Sequence, residues 1–236
     1  MPIDGRAVND QLRKALGDQA TLAELARKAV RAAAPTDAPP GCGLAARGRT
    51  GPGGLTGWLP VGDQICLWAT DAGGTGTVAG ALLALLVKGL IFPADPSPAA
   101  VLGRVNRGLL DLRADPPPLI GLGLVLFDPA TGDVVVARGG LPPAVVVRAG
   151  GGVEVWHGPG PFLGAFAADF ADTVGVLEPG DVLLLATAGP AERLAELVAK
   201  HTGLPADGLA YTVAGELAGE PGGCAAAAVG FGERRV

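Results

Sequence analysis

The sequence predicts an α+β fold built on antiparallel sheets. Short apolar runs, most of them rich in Val and bounded by Gly, Pro or Asp, recur between residues 44 and 231, and such runs are typical of strands. Tight turns, as at 128–133 and 149–152, join consecutive runs, and they require antiparallel neighbours. The helical segments are grouped rather than alternating singly with strands, which argues against a regular βαβ fold.

Nine runs share this strand pattern. They are 44–47, 65–70, 119–127, 134–138, 144–148, 153–156, 173–177, 182–187 and 225–231. Four later segments carry helical spacing, namely 77–90, 98–110, 191–201 and 206–217. The second of these helices has Ser97 as its predicted N-cap and Pro98 at its first position, where proline is favoured.

The N-terminal part of the chain has a different pattern. Residues 3–34 carry apolar side chains at helical spacing, and prolines end the pattern from Pro35 onward. We therefore divide the chain into an N-terminal helical segment, 1–34, and one large domain, 35–236. The first segment is a candidate for forming a homodimer.

Composition excludes several classes of function. The net charge is −5 and no cluster of Lys and Arg stands out, which disfavours binding to nucleic acid. The longest apolar run, 78–92, contains Lys88 and is too short to span a membrane. The three cysteines are far apart and form no CxxC pair, which argues against a disulfide framework or a zinc site. These observations predict a cytoplasmic protein.

Five motifs follow one another along the chain in the same order as in a known protein family. They are Ile65-Cys-Leu-Trp-Ala-Thr-Asp-Ala-Gly-Gly-Thr-Gly76, Asn106-Arg-Gly-Leu109, Ala137-Arg-Gly-Gly-Leu-Pro-Pro143, Phe162-Leu-Gly164 and Glu178-Pro-Gly-Asp181. In this order they resemble the SpoIIE-type branch of the PP2C (metal-dependent protein phosphatase) family. The similarity covers roughly residues 22–233. It implies a PP2C-like αββα sandwich of two mostly antiparallel sheets flanked by helices.

The resemblance also implies a site. Members of the family hydrolyse phosphoserine or phosphothreonine with two Mn²⁺ or Mg²⁺ ions, which are held mainly by Asp residues from four places. In this chain the first place reads Gly-Gly-Leu55, the third reads Thr187-Ala188-Gly189, and the fourth reads Gly222-Gly223. The second place keeps Asp71, with the carbonyl group of Ala72 as a further ligand if a metal binds. Leu55, Ala188, Gly222 and Gly223 are therefore the positions where ligands are lost.

Two readings of this site stay open. Asp71 serves either as a metal ligand or as a turn or helix-capping residue, and Gly74, Thr187 and Gly189 are candidates for the cleft. A slip in the alignment would bring Asp63 into the first metal position, although Asp63 also suits a hairpin turn before the strand 65–70. One carboxylate and one carbonyl do not hold two divalent cations, so no cofactor is expected. An active site would instead require Mn²⁺ or Mg²⁺.

The leading hypothesis is a pseudophosphatase that binds a regulatory protein. The resemblance implies partner-switching signalling, with a STAS-type anti-sigma-factor antagonist or a kinase as the partner. The first alternative is an active, divergent Mn- or Mg-dependent phosphatase. The second is a structural module that dimerises through the segment 1–34.

Overall fold

The computed structural model describes residues 40–50, 54–71, 97–111, 117, 119–158, 160–220 and 223–232. The predicted helices at 3–34 and 77–90 lie outside these residues, as do Ala72, Gly74 and Gly222. The described part contains ten strands and three helices. In chain order they are β1 Cys42–Thr50, β2 Gly54–Val61, β3 Gln64–Asp71, α1 Pro98–Asp111, β4 Gly121–Phe127, β5 Asp133–Gly139, β6 Ala144–Val147, β7 Val153–Trp156, β8 Thr173–Val176, β9 Val182–Ala186, α2 Ala191–Ala199, α3 Ala206–Glu216 and β10 Gly223–Phe231.

The strands form two five-stranded sheets whose pairings are all antiparallel. Sheet A has the order β1-β10-β9-β6-β7, and sheet B has the order β2-β3-β4-β5-β8. Apolar side chains from both sheets, among them Leu67, Phe127 and Leu183, form a shared inter-sheet core. The prediction of an α+β sandwich is therefore confirmed.

Helices cover the outer faces of the two sheets. Helix α1 packs on sheet B through residues such as Leu102, Val105 and Leu109. Helices α2 and α3 pack on sheet A through residues such as Leu194 and Val213. Alternate residues of a strand point to opposite faces, so each buried strand contributes both to the inter-sheet core and to one helix-side core.

The sequence pattern located most elements within a few residues. The predicted strands 134–138 and 153–156 correspond to β5 and β7, and Ser97 caps α1 as predicted, because its Oγ accepts a hydrogen bond from the N–H of Ala100 (3.3 Å). Both predicted hairpin turns are present. Gly132 lies in the left-handed region (φ 82°) in the first turn, and its N–H donates to the carbonyl oxygen of Asp128.

Strand β2 was missing from the predicted strands. Gly54, Gly57 and Pro60 interrupt its apolar pattern, and each has a structural reason. A Cβ on Gly57 would lie 2.7 Å from the ring of Trp68, so glycine makes room for that indole. Pro60 is tolerated because β2 lies at the edge of sheet B, where a missing N–H leaves few ladder bonds unmade.

Candidate functional site

Four strand ends meet at one end of the sandwich. Gly54 opens β2 directly opposite Asp71, the last residue of β3. Beyond β9, the N–H of Thr187 donates to the carbonyl oxygen of Ala225 in β10 (2.9 Å). A Cβ on Gly54 would lie 3.3 Å from Thr187 Oγ1 and 3.6 Å from Ala225 Cβ, so the two sheets touch at this point. We call Gly54, Asp71, Thr187 and Ala225 the cleft set.

Asp71 is the acidic member of the cleft set. Ile65, Leu67 and Ala69 of the same strand all belong to the inter-sheet core, so alternation along the strand directs Asp71 toward the space between the sheets. Burial raises the pKa of its carboxyl group. A cation beside the carboxylate would have the opposite effect. Asp71 is thus placed to act as a ligand, but no neighbouring charge in the described residues stabilises its ionised form.

The first lost position lies one residue away from its predicted place. The side chain of Leu55 belongs to the core beneath α1, on the other face of sheet B. Gly54 is the residue that faces the cleft opposite Asp71. The assignment of Leu55 is therefore corrected to Gly54, because side chains alternate between the faces of a strand and a shift of one residue reverses the face.

The three residues of the third predicted place, 187–189, lie in different environments. Thr187 is buried and faces the cleft, where its Oγ1 accepts a hydrogen bond from the N–H of Ala225 (2.9 Å). Ala188, by contrast, packs against the helix-side core of sheet A. Gly189 lies in the left-handed region (φ 98°) just before α2 begins. Of these three residues, only Thr187 makes a polar side-chain contact at the cleft.

The remaining predicted positions lie at strand ends, in a turn or outside the described residues. Gly223 opens β10 and pairs with Thr50 of β1, whereas Gly222, Ala72 and Gly74 lie outside the described residues. Asp63 lies in the turn between β2 and β3, at the opposite end of β3 from Asp71. A strand of eight residues spans roughly 25 Å. The alternative in which Asp63 supplies the first metal position is therefore wrong, and its interpretation as a turn residue holds.

These residues do not fit a centre for two divalent cations. Mn²⁺ and Mg²⁺ are bound by several oxygen ligands, chiefly carboxylates. Within the described ranges, no group of three or more Asp, Glu, His or Cys side chains is close enough to hold a metal ion. In the cleft set, Asp71 stands among a glycine, an alanine and a threonine whose hydroxyl already accepts a hydrogen bond.

A second polar feature lies near the same end of the sandwich. The side chain of Asn106 in α1 is buried, and its Oδ1 accepts a hydrogen bond from the N–H of Gly164 (2.7 Å). Its Nδ2 donates to the carbonyl oxygen of Phe166 (3.0 Å). Asn106 and the Leu-Gly step 163–164 were separate motifs in the sequence, and the structure joins them. Sequence reasoning missed this contact, and it also missed Gly54 and the half-buried Arg138.

The comparison of the sequence with protein families decides the identity of the domain. The model of the family described as Stage II sporulation protein E (SpoIIE) matches residues 62–223, which is most of the chain. The chain belongs to the SpoIIE family. The matched region runs from the β2–β3 turn to the start of β10, so it includes Asp71 and Thr187 of the cleft set. No curated protein matches the chain in sequence.

Solved structures support the SpoIIE fold. The SiaA-PP2C domain of Pseudomonas aeruginosa is 20% identical, with a TM-score of 0.70 over 94% of this chain and 99% of that one. The RsbU and RsbW domains of a Mycobacterium tuberculosis protein are 22% identical, with a TM-score of 0.66. The phosphatase domain and a regulatory fragment of Bacillus subtilis SpoIIE are 15% identical, with a TM-score of 0.64. In each of the last two comparisons the match covers 83% of this chain and 62% of the other.

These likenesses confirm the PP2C-like fold that the sequence motifs predicted. No helix in the described ranges is long and apolar enough to cross a membrane.

Proposed function

We propose that this SpoIIE-family domain is a pseudophosphatase that binds a regulatory protein without hydrolysing its phosphoester. The observation that carries the proposal is the composition of the cleft set. Four strand ends converge as a metal site would require, yet Asp71 supplies the single carboxylate among Gly54, Asp71, Thr187 and Ala225.

Metal-dependent hydrolysis depends on a water molecule whose pKa is lowered by bound cations. Oxygen ligands must first offset the repulsion between those cations, and the cleft set contains one acidic group, Asp71. Burial further favours the neutral form of that group, since it raises the pKa of Asp71. The chain thus keeps the scaffold of the family, while the acidic ligand set is reduced to Asp71 in the described cleft.

The proposed partner is inferred from the proteins whose structures are similar to this one. One similar structure contains an RsbU domain together with an RsbW domain, and another comes from work on the bacterial stressosome. These names favour a regulatory protein as the partner. We propose a STAS-type anti-sigma-factor antagonist or a kinase as the partner. It would bind in the cytoplasm, at the end of the sandwich where the cleft set lies.

Turnover is the first measurement. Hydrolysis of a generic phosphoester is followed with and without millimolar Mn²⁺, using the wild-type chain and Asp71→Ala. We expect both proteins to remain at the rate of the buffer. Turnover that requires both Mn²⁺ and Asp71 would overturn the proposal and favour an active, divergent phosphatase.

Partner capture is the second measurement. The wild-type chain, a chain lacking 1–34 and Asp71→Lys, which places a long cation at the cleft, are compared as baits for purified STAS-domain and kinase candidates. Binding that is lost in Asp71→Lys supports the cleft as the docking site. Binding by neither candidate, together with a concentration-dependent molecular size that is lost when 1–34 is removed, favours the structural dimerisation module.

A further inference from the structure

No carboxylate of the described residues forms an ion pair with the guanidinium group of Arg138. Arg138 lies near the end of β5 and is half-buried. Within the described residues, its single side-chain hydrogen bond runs from Nη1 to the carbonyl oxygen of Leu141. Its Nε is buried and has no hydrogen-bond partner. Burial lowers the pKa of this guanidinium, and no carboxylate in the described ranges opposes that effect.

The free edge of this side chain has a specific geometry. Nε and Nη2 lie along one side of the guanidinium plane, and together they form the fork that binds two oxygens of a carboxylate or phosphate group. Nη1, on the other side, donates a hydrogen bond to the carbonyl oxygen of Leu141. A buried N–H without an acceptor destabilises a protein. The unsatisfied Nε–H of Arg138 therefore lowers the stability of the fold.

Arg138 lies at the end of the sandwich that holds the cleft set. Val134 and Val136 belong to the inter-sheet core and Ala137 to the core beneath α1, so alternation turns Arg138 toward the space between the sheets. Arg138 pairs with Gly123, which pairs with Ala69, two residues before Asp71. Two strand spacings and one side-chain step separate the Cα atoms of Arg138 and Asp71 by on the order of 10 Å.

Leu141 packs over the glycines of this face. Gly123 pairs with Arg138 and Gly121 pairs with Asp71, and the Cδ2 of Leu141 lies 2.4 Å from the place where a Cβ on Gly121 would stand. A guanidinium with an unpaired donor edge thus stands in the same inter-sheet space as a lone, half-buried carboxylate. The carboxylate set that would hold cations is depleted, while this fixed cation remains.

We propose that the Nε–Nη2 edge of Arg138 binds a phosphoryl oxyanion, and that it does so without a divalent metal. The inference rests on the proposed function and deepens it, because a domain that captures a phosphorylated partner without hydrolysis needs a cation of its own for the phosphoryl group. A guanidinium suits this role, since it stays charged at neutral pH and matches two phosphoryl oxygens at once.

The test is a titration of the full chain with inorganic phosphate in EDTA, at constant ionic strength maintained with NaCl. Binding is read by calorimetry and by the rise in Tm. The variants are Arg138→Met, which removes the charge and the donors, Arg138→Lys, which keeps the charge without the fork, and Arg107→Met, which removes an exposed arginine of α1. We expect Arg138→Met to weaken phosphate binding at least about tenfold and Arg107→Met to leave it unchanged.

Arg138→Lys is expected to fall between the wild-type chain and Arg138→Met. If Arg138→Met does not fold, the comparison of the wild-type chain with Arg138→Lys still decides, because a charge-only site would bind phosphate equally in both. The proposal is overturned if phosphate raises the Tm of the wild-type chain no more than NaCl does, or if Arg138→Met binds as tightly as the wild-type chain.

A phosphoserine peptide identifies the source of the phosphoryl group. Tighter binding than inorganic phosphate, with no binding of the unphosphorylated peptide, assigns the site to a phosphorylated protein, whereas equal affinity assigns it to the free ion. The outcome is separable from that of the proposed function. Mn²⁺-dependent turnover would overturn the pseudophosphatase alone, while absence of both turnover and phosphate binding would overturn the role of Arg138 alone.

Discussion

The side chain of Asn106 accepts a hydrogen bond from the backbone of Gly164, with 2.7 Å between its Oδ1 and the amide nitrogen of Gly164. Its Nδ2 also donates to the carbonyl oxygen of Phe166, so one side chain of α1 fixes the path of the segment after β7. Gly164 is in the left-handed region (φ 88°), which glycine adopts without strain. The exposed rings of Phe162 and Phe166 flank this fixed point.

Replacing Asn106 tests this contact. Asn106 is 2% exposed, so Asn106→Ala leaves the N–H of Gly164 buried without an acceptor. We expect the free energy of unfolding to fall by about 2–3 kcal/mol, measured by urea denaturation. Asn106→Asp keeps the acceptor for Gly164 but brings a carboxylate oxygen against the carbonyl oxygen of Phe166, so its stability should approach that of the wild-type chain only at a pH low enough to protonate it. Equal stability of Asn106→Ala and the wild-type chain would show that the loop is held by other contacts.

The two ion pairs of Arg148 should contribute differently to the free energy of unfolding. Asp181 is 2% exposed, and besides Arg148 (2.7 Å) its carboxylate accepts hydrogen bonds from the N–H groups of Ala149 and Glu178. Glu154 pairs with the same guanidinium but is 47% exposed. We expect Asp181→Ala to lower the free energy of unfolding by about 3 kcal/mol. Glu154→Ala should lower it by less than about 1 kcal/mol.

Urea denaturation at low and high NaCl concentration measures both effects. The small contribution of Glu154 should decrease further in high salt, because exposed charges are screened. A larger loss for Glu154→Ala than for Asp181→Ala would contradict this ordering.

Asp71 should make stability depend on pH. Because burial raises the pKa of Asp71 above its ordinary value of 3.8, the folded state favours the neutral acid. The resulting stabilisation is complete below pH 3.8 and is lost as the pH rises through the raised folded-state pKa. Asp71→Asn removes this loss, so it should be more stable than the wild-type chain at pH 7 and equally stable near pH 3.8.

Urea denaturation from pH 3.5 to 7 in EDTA provides the measurement. Asp63→Asn is the matched control, because Asp63 is exposed in the β2–β3 turn, and it should leave the pH profile unchanged. A wild-type chain that is more stable than Asp71→Asn at pH 7 would mean that a cation near Asp71 stabilises the carboxylate.

A carboxylate placed opposite Asp71 should create a cation site. Gly54 pairs with Asp71 across antiparallel strands, where side chains on the same face are about 5 Å apart. Gly54→Asp should therefore tighten Mn²⁺ binding at least about tenfold relative to the wild-type chain, as measured by calorimetry, because two carboxylates offset cation charge better than one. Gly54→Asn has the same size without the charge. Equal Mn²⁺ affinity in the two variants would show that the cleft set does not face a common point.

The thiols should resist modification in the native state. Cys42, Cys66 and Cys224 are all buried, and burial raises the pKa of Cys66 to about 12. The thiolate is the reactive form of cysteine. We expect an aromatic disulfide reagent at pH 8 to modify these residues only as fast as the protein opens, and to modify all of them at once in guanidinium chloride. Rapid reaction in native buffer would contradict the packing of β1, β3 and β10.

The elements themselves were largely predictable from the sequence. Valine-rich runs between turn residues marked most strands, and Ser97-Pro98 marked the start of α1, because these signals are local. Strand β2 was missed because its glycines and Pro60 serve neighbours, such as the ring of Trp68, that no local pattern reveals. The order of the motifs was sufficient to predict the SpoIIE family, which the family comparison then confirmed.

The candidate site was predictable only in part. Asp71 and the non-acidic residues at the other predicted ligand positions are visible in the residue types themselves. The sequence alone does not separate Leu55 from Gly54, because it shows that neighbouring residues of a strand face opposite ways but not which of them faces the cleft. That choice depends on the register with β3 and on the contact with Thr187, which is 133 positions away in the chain.

By itself, then, the sequence determined the class of fold, most strand and helix positions and the family, since each is written in residue types and their local spacing. The tertiary structure alone decided that Gly54 faces Asp71, that Asn106 fixes Gly164, and that the Nε of Arg138 is buried with no hydrogen-bond partner in the described part of the chain. Each of these relations joins residues from different elements, and only the packing of the two sheets and their helices sets the distance and direction between them.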